Sequence, residues 1–216
     1  MDVVLDNLPT ILRGFLLTLE LLLTSGAIAL VLGCILAGMR VAPVPVLRAV
    51  GTTYVNIFRN TPLVVLFIVF VAGLPYLGLL QGSFFWRAVV TLAVYTAAFV
   101  CEAVRSGINS VQQGQAEAAR SLGFTFGQVL RIVILPQAVR TVIPPLASII
   151  IALAKNSAIA EAFGLREGTG AFAFLVNRHA DVFWQLFLTT AAGYVIIVLA
   201  IAGIANLLER RLEVVR

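Results

Sequence analysis

The stretch GQAEAARSLGFTFGQVLRIVILP, residues 114–136, is a polar island between segments that are apolar enough to lie in a membrane. Its first part is rich in good helix formers, and Gly123 stands where a helix would end in a left-handed residue. A helical pattern resumes after Thr125, a candidate N-cap, and Pro136 is predicted to end it. The pattern therefore predicts two short helices bent at a glycine. Together they form a compact projection, the knob, at 114–136, which can dock into a groove on a soluble partner.

Composition places this knob on an integral membrane protein. The 216 residues are 61% hydrophobic and 12% charged, with a mean hydropathy of +1.04, which is more apolar surface than a soluble core of this size can bury. Of the 15 basic residues all but one are Arg, scattered in ones and twos, so the chain lacks the basic stripe of a nucleic-acid site. Cys34 and Cys101 lie in apolar runs and are interpreted as small apolar side chains. We expect no metal site and no nucleic-acid partner.

Hydropathy predicts an all-α membrane fold with five transmembrane helices, each of about 20 residues, at 16–38, 63–80, 84–104, 143–163 and 183–207. We predict that they are separated by a loop at 40–60, a turn around Gly82, the long segment 106–140 and a polar connection at 165–181. An N-out, C-in orientation places ten Arg inside, Arg216 among them, and four outside. The segment 106–140 then faces the cytoplasm, and residues 1–216 form a single domain.

Six residues of this segment carry a resemblance to a known family. The EAA segment of ABC importer permeases reads Glu-Ala-Ala, three residues, Gly, nine residues, Ile, any residue, Leu-Pro. It is matched here by Glu117, Ala118, Ala119, Gly123, Leu135 and Pro136, with only Val133 in place of Ile. The resemblance implies a type I ABC importer transmembrane domain in a bacterial cell membrane. It also implies that 106–140 is a cytoplasmic coupling loop whose helix, between the third and fourth spans, docks into an ATPase.

The chain also resembles, over nearly its whole length, the polar amino acid uptake permeases of the histidine, glutamine, glutamate and arginine group. The resemblance is carried by GFLLTLE (14–20), RNTPL (59–63), EAVRSGINSVQQGQ (102–115) and PQAVR (136–140). The variants RNTP and YTAAFVCEAVRSGIN (95–109) are most similar to glutamate-uptake permeases, which implies inward transport of glutamate or glutamine. The sequence departs from the group at Leu66, at AKNSAI (154–159) and at Glu161.

A Walker A motif is missing from the sequence, because the only lysine, Lys155, precedes Asn156 rather than Ser or Thr. We therefore expect no cofactor, no catalytic residue and no enzymatic activity in this chain. The resemblance implies that a cytoplasmic ABC ATPase dimer binds ATP and Mg and pushes the coupling knobs together. It further implies a second permease subunit, identical or paralogous, and an extracytoplasmic solute-binding protein that delivers the substrate; membrane lipid surrounds the complex.

Ionisable groups at membrane depth are costly and are candidates for a transport pathway, here Glu20, Glu102, Lys155 and Glu161. Pro144 and Pro145 are predicted to break the hydrogen-bond ladder of the fourth span, so we expect that span to border the pathway. Lys155, Asn156 and Ser157 would line it. Two interpretations of Lys155 stay open: contact with a substrate carboxylate, or an ion pair with Glu102 or Glu20.

Two further expectations concern a helix start and the alternative functions. We predict that Asn60 or Thr61 caps the second span, with Pro62 at its first position. An ion-gradient-driven secondary carrier would also explain Glu102 and Lys155, but such carriers normally contain inverted repeats and none is visible. A channel or membrane anchor would explain five spans but would leave the EAA spacing a coincidence.

Overall fold

The computed structural model describes residues 2–212, and side chains within 3–211; Arg216 and the ends of the predicted domain lie outside these residues. This part of the chain is helical and contains no strand. After a short turn at Asp2–Asp6, the helices are α1 (Leu8–Val41), α2 (Pro45–Asn60), α3 (Leu63–Tyr76), α4 (Phe84–Asn109), α5 (Gln113–Ser121), α6 (Phe126–Phe163), α7 (Gly168–Val176) and α8 (Phe183–Leu212).

Within the described residues, the four helices α1, α4, α6 and α8 are long and apolar enough to cross a membrane. The pair α2 and α3 is bent by 105° and supplies a fifth crossing only if the two helices together make one span. At 1.5 Å per residue, α3 is about 21 Å long, less than the hydrocarbon core of a bilayer. The chain is therefore an all-helical membrane protein with four or five candidate spans.

The loop predicted at 40–60 is instead mostly helix α2. Pro45 stands at its first turn, and Gly51 and Val55 are buried against neighbouring helices. Its exposed flank mixes apolar residues such as Val46 and Val50 with polar ones. An amphipathic helix of this kind has too little mean hydropathy to be detected as a span, which is why hydropathy alone missed it.

The polar connection predicted at 165–181 contains another helix, α7, with the apolar sequence GTGAFAFLV. Ala171 and Leu175 are buried on α1 and α8. Nine residues are too few for a transmembrane window, so hydropathy could not identify α7.

The predicted cap of the second span is wrong. The Asn60 amide and the Thr61 hydroxyl donate backwards, to the carbonyls of Asn56 and Ile57, each at 2.8 Å. They complete the end of α2 rather than the start of α3. Pro62 is the residue that flanks α3, and it holds Thr61 in an extended conformation that no helix can continue through.

The prediction that Pro136 ends a helix is also wrong, because α6 continues through it. Pro144 and Pro145 lie inside α6 as well, where neither can donate a hydrogen bond to the ladder but the helix does not end. A π-helical turn at Val129–Ile134 directly precedes Leu135–Pro136. Proline lacks an N–H and its ring presses on the carbonyl four residues earlier, so a widened turn relieves both conflicts. The same arrangement recurs in α3, where π-helical Ile68–Gly73 precedes Leu74–Pro75.

The core is built on the packing of α1 against α4. Leu21, Phe67, Leu92 and Leu153 form one buried cluster that joins α1, α3, α4 and α6. Small residues allow the closest approaches: a Cβ on Gly33 of α1 would lie 2.5 Å from Val100 of α4. Close backbone approach at small residues is how helices gain packing energy when lipid offers no hydrophobic drive.

Candidate functional site

The segment 113–136 forms an exposed helix–turn–helix. Helix α5 ends in a glycine cap: Gly123 has φ +86°, its N–H donates to the Arg120 carbonyl at 2.9 Å, and the Phe124 N–H donates to the Ala119 carbonyl at 3.2 Å. This is a Schellman motif, which needs a left-handed residue at the Gly123 position. The spacing from Ala119 to Gly123 is thus a backbone requirement of the turn.

A capping box starts the next helix. The Thr125 hydroxyl accepts from the Gln128 N–H at 3.4 Å, and the Gln128 side chain accepts from the Thr125 N–H at 2.8 Å. Thr125 is therefore the N-cap that the sequence indicates. The helix that follows is not short, however, because it continues into α6.

The knob presents both charge and apolar surface. Glu117 and Ala118 are exposed, Leu122 is 79% exposed, and Ala119 is buried beneath them. Leu135 and Pro136 are exposed on α6. An exposed carboxylate beside exposed aliphatic side chains is a surface that a protein partner can both pair with and cover.

Contacts on one side of the knob connect it to α6. The Gln137 amide of α6 donates to the Gln115 side chain of α5 and, at 2.8 Å, to the Val133 carbonyl beside the π-helical turn. Further along α6, Gly107 of α4 lies against Val142, so closely that a side chain on Gly107 would overlap it. The Gln115–Gln137 hydrogen bond therefore joins α5 directly to α6.

Glu102 lies among arginines, not beside Lys155. Its carboxylate is 2.5 Å from Arg40 of α1, 2.8 Å from Arg105 one turn along α4, and 3.5 Å from Arg59 of α2. The predicted Lys155–Glu102 ion pair is therefore wrong. Lys155 is exposed and makes no ion pair, with Glu20 or any other group, within the described residues.

The other predicted pathway residues do not line one common cavity. Asn156 lines a cavity of about 210 Å³ between α4 and α6, together with Tyr95, Phe99 and Ser148. Ser157 is buried where α6 tightens to 3₁₀ geometry, and its hydroxyl donates to the Ala154 carbonyl at 2.8 Å. Glu161 is half-buried in that 3₁₀ turn, and Glu20 lines a different cavity beside α7. The structure thus brings Asn156 to the α4–α6 cavity and leaves the charged candidates elsewhere.

Sequence reasoning missed Glu167, which is fully buried. As the N-cap of α7 it accepts from the N–H groups of Thr169 and Gly170, each at 3.0 Å. The hydroxyls of Thr18 on α1 and Tyr194 on α8 donate to its other oxygen at 3.2 and 2.5 Å. Burial raises the pKa of the Glu167 carboxyl, and these four donors oppose that effect. An acidic residue directly before Gly-Thr-Gly and an apolar run was the signal for this cap.

The helical membrane fold and the exposed helix–turn–helix at 113–136 together indicate a class of transporter subunit, and a family model agrees. The model described as the inner membrane component of binding-protein-dependent transport systems matches residues 29–214. The chain therefore belongs to this family. It is a permease subunit of an ABC importer and a multi-pass protein of the bacterial inner membrane, whose system depends on a separate binding protein.

Similar proteins extend over almost the whole chain. A glutamate transport system permease protein of Corynebacterium efficiens is 41% identical over 214 residues, covering 94% of each chain. A probable glutamine ABC transporter permease protein of Bacillus subtilis is 40% identical, covering 98% of this chain and 97% of the relative. The crystal structure of an amino acid ABC transporter with histidines superposes with a TM-score of 0.88 at 30% identity, over 96% of each chain.

Proposed function

We propose that this chain carries glutamate or glutamine into the cytoplasm as part of an ABC importer. The observation that carries the proposal is the exposed helix–turn–helix at 113–136, with Glu117 at its surface, on a chain of this family. The relatives named for glutamate and glutamine transport support the substrate class.

The proposed topology has five spans, N-out and C-in, with α2 and α3 together making the second. The distribution of Arg supports this orientation, since ten lie on the proposed inner side and four on the outer side. It makes residues 106–140 the cytoplasmic coupling loop and residues 1–216 a single transmembrane domain.

We propose three kinds of partner, which supply energy, complete the pathway and deliver the substrate. A dimer of cytoplasmic ATPases binds ATP with Mg and contacts the knob at Glu117 and Ala118, while Ala119 and Gly123 form the turn that presents them. Leu135 and Pro136 follow the π-helical turn of α6 and add exposed apolar surface to the same contact. A second permease, identical or paralogous, completes the pathway, and an external binding protein delivers the amino acid.

Transmission in this proposal runs from α5 into α6. The Gln115–Gln137 bond and the π-helical turn at Val129–Ile134 join the knob to the helix that carries Asn156. When the ATPases close, the knob moves, α6 follows, and the cavity beside Asn156 changes shape. Lys155, Ser157 and Glu161 lie on the last turns of the same helix and move with it.

The test is affinity purification of the chain co-expressed with its ATPase, followed by glutamate and glutamine uptake in vesicles. Glu117→Lys should release the ATPase and abolish ATP-driven uptake while the protein stays in the membrane. Glu209→Lys is the matched control, because it reverses a charge on the same proposed side at the end of α8. Normal uptake in Glu117→Lys, or uptake lost only when the ion gradient is collapsed, would overturn the proposal.

A further inference from the structure

A second cavity, of about 680 Å³, lies between α1 and α7, outside the coupling segment and the α4–α6 cavity. Arg13 and Glu20 reach it from α1, and Arg166 and Arg178 reach it from the two ends of α7. Its volume is typical of sites for small molecules. In the proposed topology this cavity opens to the outside.

Two of its guanidinium groups are held over one aromatic ring. Arg166 lies 4.4 Å and Arg178 4.0 Å from the centroid of Phe174. Within the described residues neither of them forms an ion pair, and nor does Arg13. Like charges repel, so three unpaired cations around one cavity are an arrangement that a bound anion stabilises. Each guanidinium offers a planar fork of donors that fits a carboxylate.

Glu20 adds one carboxylate to the cavity that the three arginines line. Arg13 and Glu20 are seven residues apart on one face of α1, which separates them by about 10 Å along the helix axis. Arg178 lies toward the start of α1, because the neighbouring Leu175 packs with Ile11, and the Arg166 guanidinium shares the Phe174 ring with that of Arg178. The cavity therefore has its guanidinium groups on the side of Arg13 and its one carboxylate, Glu20, toward the middle of α1. An acidic amino acid, with two carboxylates and one ammonium group, matches this order of charges.

We propose that this cavity is an outer site for an acidic amino acid, whose carboxylates bind Arg166, Arg178 and Arg13 and whose ammonium binds Glu20. The site rests on the proposed function for its outward orientation, and it favours glutamate over glutamine, whose neutral amide would leave a guanidinium unpaired. A phosphatidylethanolamine headgroup places its phosphate nearest the membrane, the reverse of this order. Phosphatidylglycerol carries no cation for Glu20.

The test is equilibrium binding of labelled L-glutamate to the purified, detergent-solubilised complex without ATP or binding protein. We expect Arg178→Gln to weaken binding at least about tenfold, the effect of one charge-assisted pair. Glu20→Gln should weaken L-glutamate binding similarly but leave glutarate, which has no ammonium group, bound as well as in the wild type. Arg210→Gln, an exposed change at the end of α8, is the control and should leave both ligands unaffected.

The proposed site would be overturned if all variants bound glutamate equally. It would also be overturned if Arg178→Gln lost binding of labelled phosphatidylglycerol but kept binding of glutamate. If Arg178→Gln does not elute as a monodisperse complex, Arg13→Gln replaces it. Different results would overturn the two proposals. If the variants bind glutamate as the wild type does and ATP-driven uptake is intact, only the outer site is overturned. If glutamate binding depends on these arginines but no ATP-driven uptake is found, only the importer function is overturned.

Discussion

Glu102 of α4 lies 2.5 Å from the guanidinium of Arg40 on α1, and this ion pair joins the two helices that pack most extensively in the fold. Both side chains are largely buried, with 21% and 12% of their surfaces exposed. Without the Glu102 carboxylate, the Arg40 guanidinium would be left unpaired in a largely buried position, where water cannot fully replace its charged partner.

We therefore predict that Glu102→Gln lowers the free energy of unfolding by about 1–3 kcal/mol. Arg59→Gln should cost less than about 1 kcal/mol, because Arg59 is 43% exposed and 3.5 Å from the carboxylate. Thermal unfolding in detergent, followed by the loss of monodisperse protein, measures both. Equal effects of the two substitutions would contradict the ranking.

Gly33 and Gly38 of α1 form a matched pair for the α1–α4 contact. A methyl group on Gly33 would lie 2.5 Å from Val100, whereas one on Gly38 would have no neighbour within 4 Å. We expect Gly33→Ala to lower stability by about 1–3 kcal/mol. Gly38→Ala should raise it by up to about 1 kcal/mol, since alanine is the better helix former. The same thermal assay distinguishes them, and stabilisation by Gly33→Ala would disprove the close approach.

Gly123 and Gly127 form a matched pair for the turn of the helix–turn–helix at 113–136. A methyl group added to either glycine would meet no neighbour within 4 Å, but Gly123 has φ +86° and Gly127 lies within a helix. Gly123→Ala should strain the backbone by about 1–2 kcal/mol and reduce recovery of the ATPase in the purified complex. Gly127→Ala should leave recovery unchanged. Full recovery with Gly123→Ala would show that the left-handed turn is not needed for docking.

Glu167 should be the most sensitive buried polar residue in the described part of the chain. Glu167→Ala leaves four donors from α1, α7 and α8 without an acceptor, and we expect a loss of at least about 3 kcal/mol. Tyr194→Phe removes one donor and should cost about 1–2 kcal/mol. Wild-type thermal stability of Glu167→Ala would show that α7 is held in place by its apolar contacts alone.

The class of this protein and the local form of the helix–turn–helix at 113–136 could both be predicted from the residues alone. Hydropathy identifies a membrane protein because the energy of a span depends on its own residues and the bilayer. The turn at Gly123 and the cap at Thr125 were predictable for the same reason, since a Schellman motif and a capping box are made by residues within a few positions of one another.

Which distant side chains meet could not be predicted from the residues and depends on how the helices pack. Arg40 pairs with Glu102 across 62 residues, and Thr18 reaches Glu167 across 149. Whether such residues face one another depends on the rotation and register of packed helices, which hydropathy does not encode. For the same reason α2 and α7, too polar or too short to be spans, and the cavity that gathers Arg13, Arg166 and Arg178 emerged only when the helices were packed together.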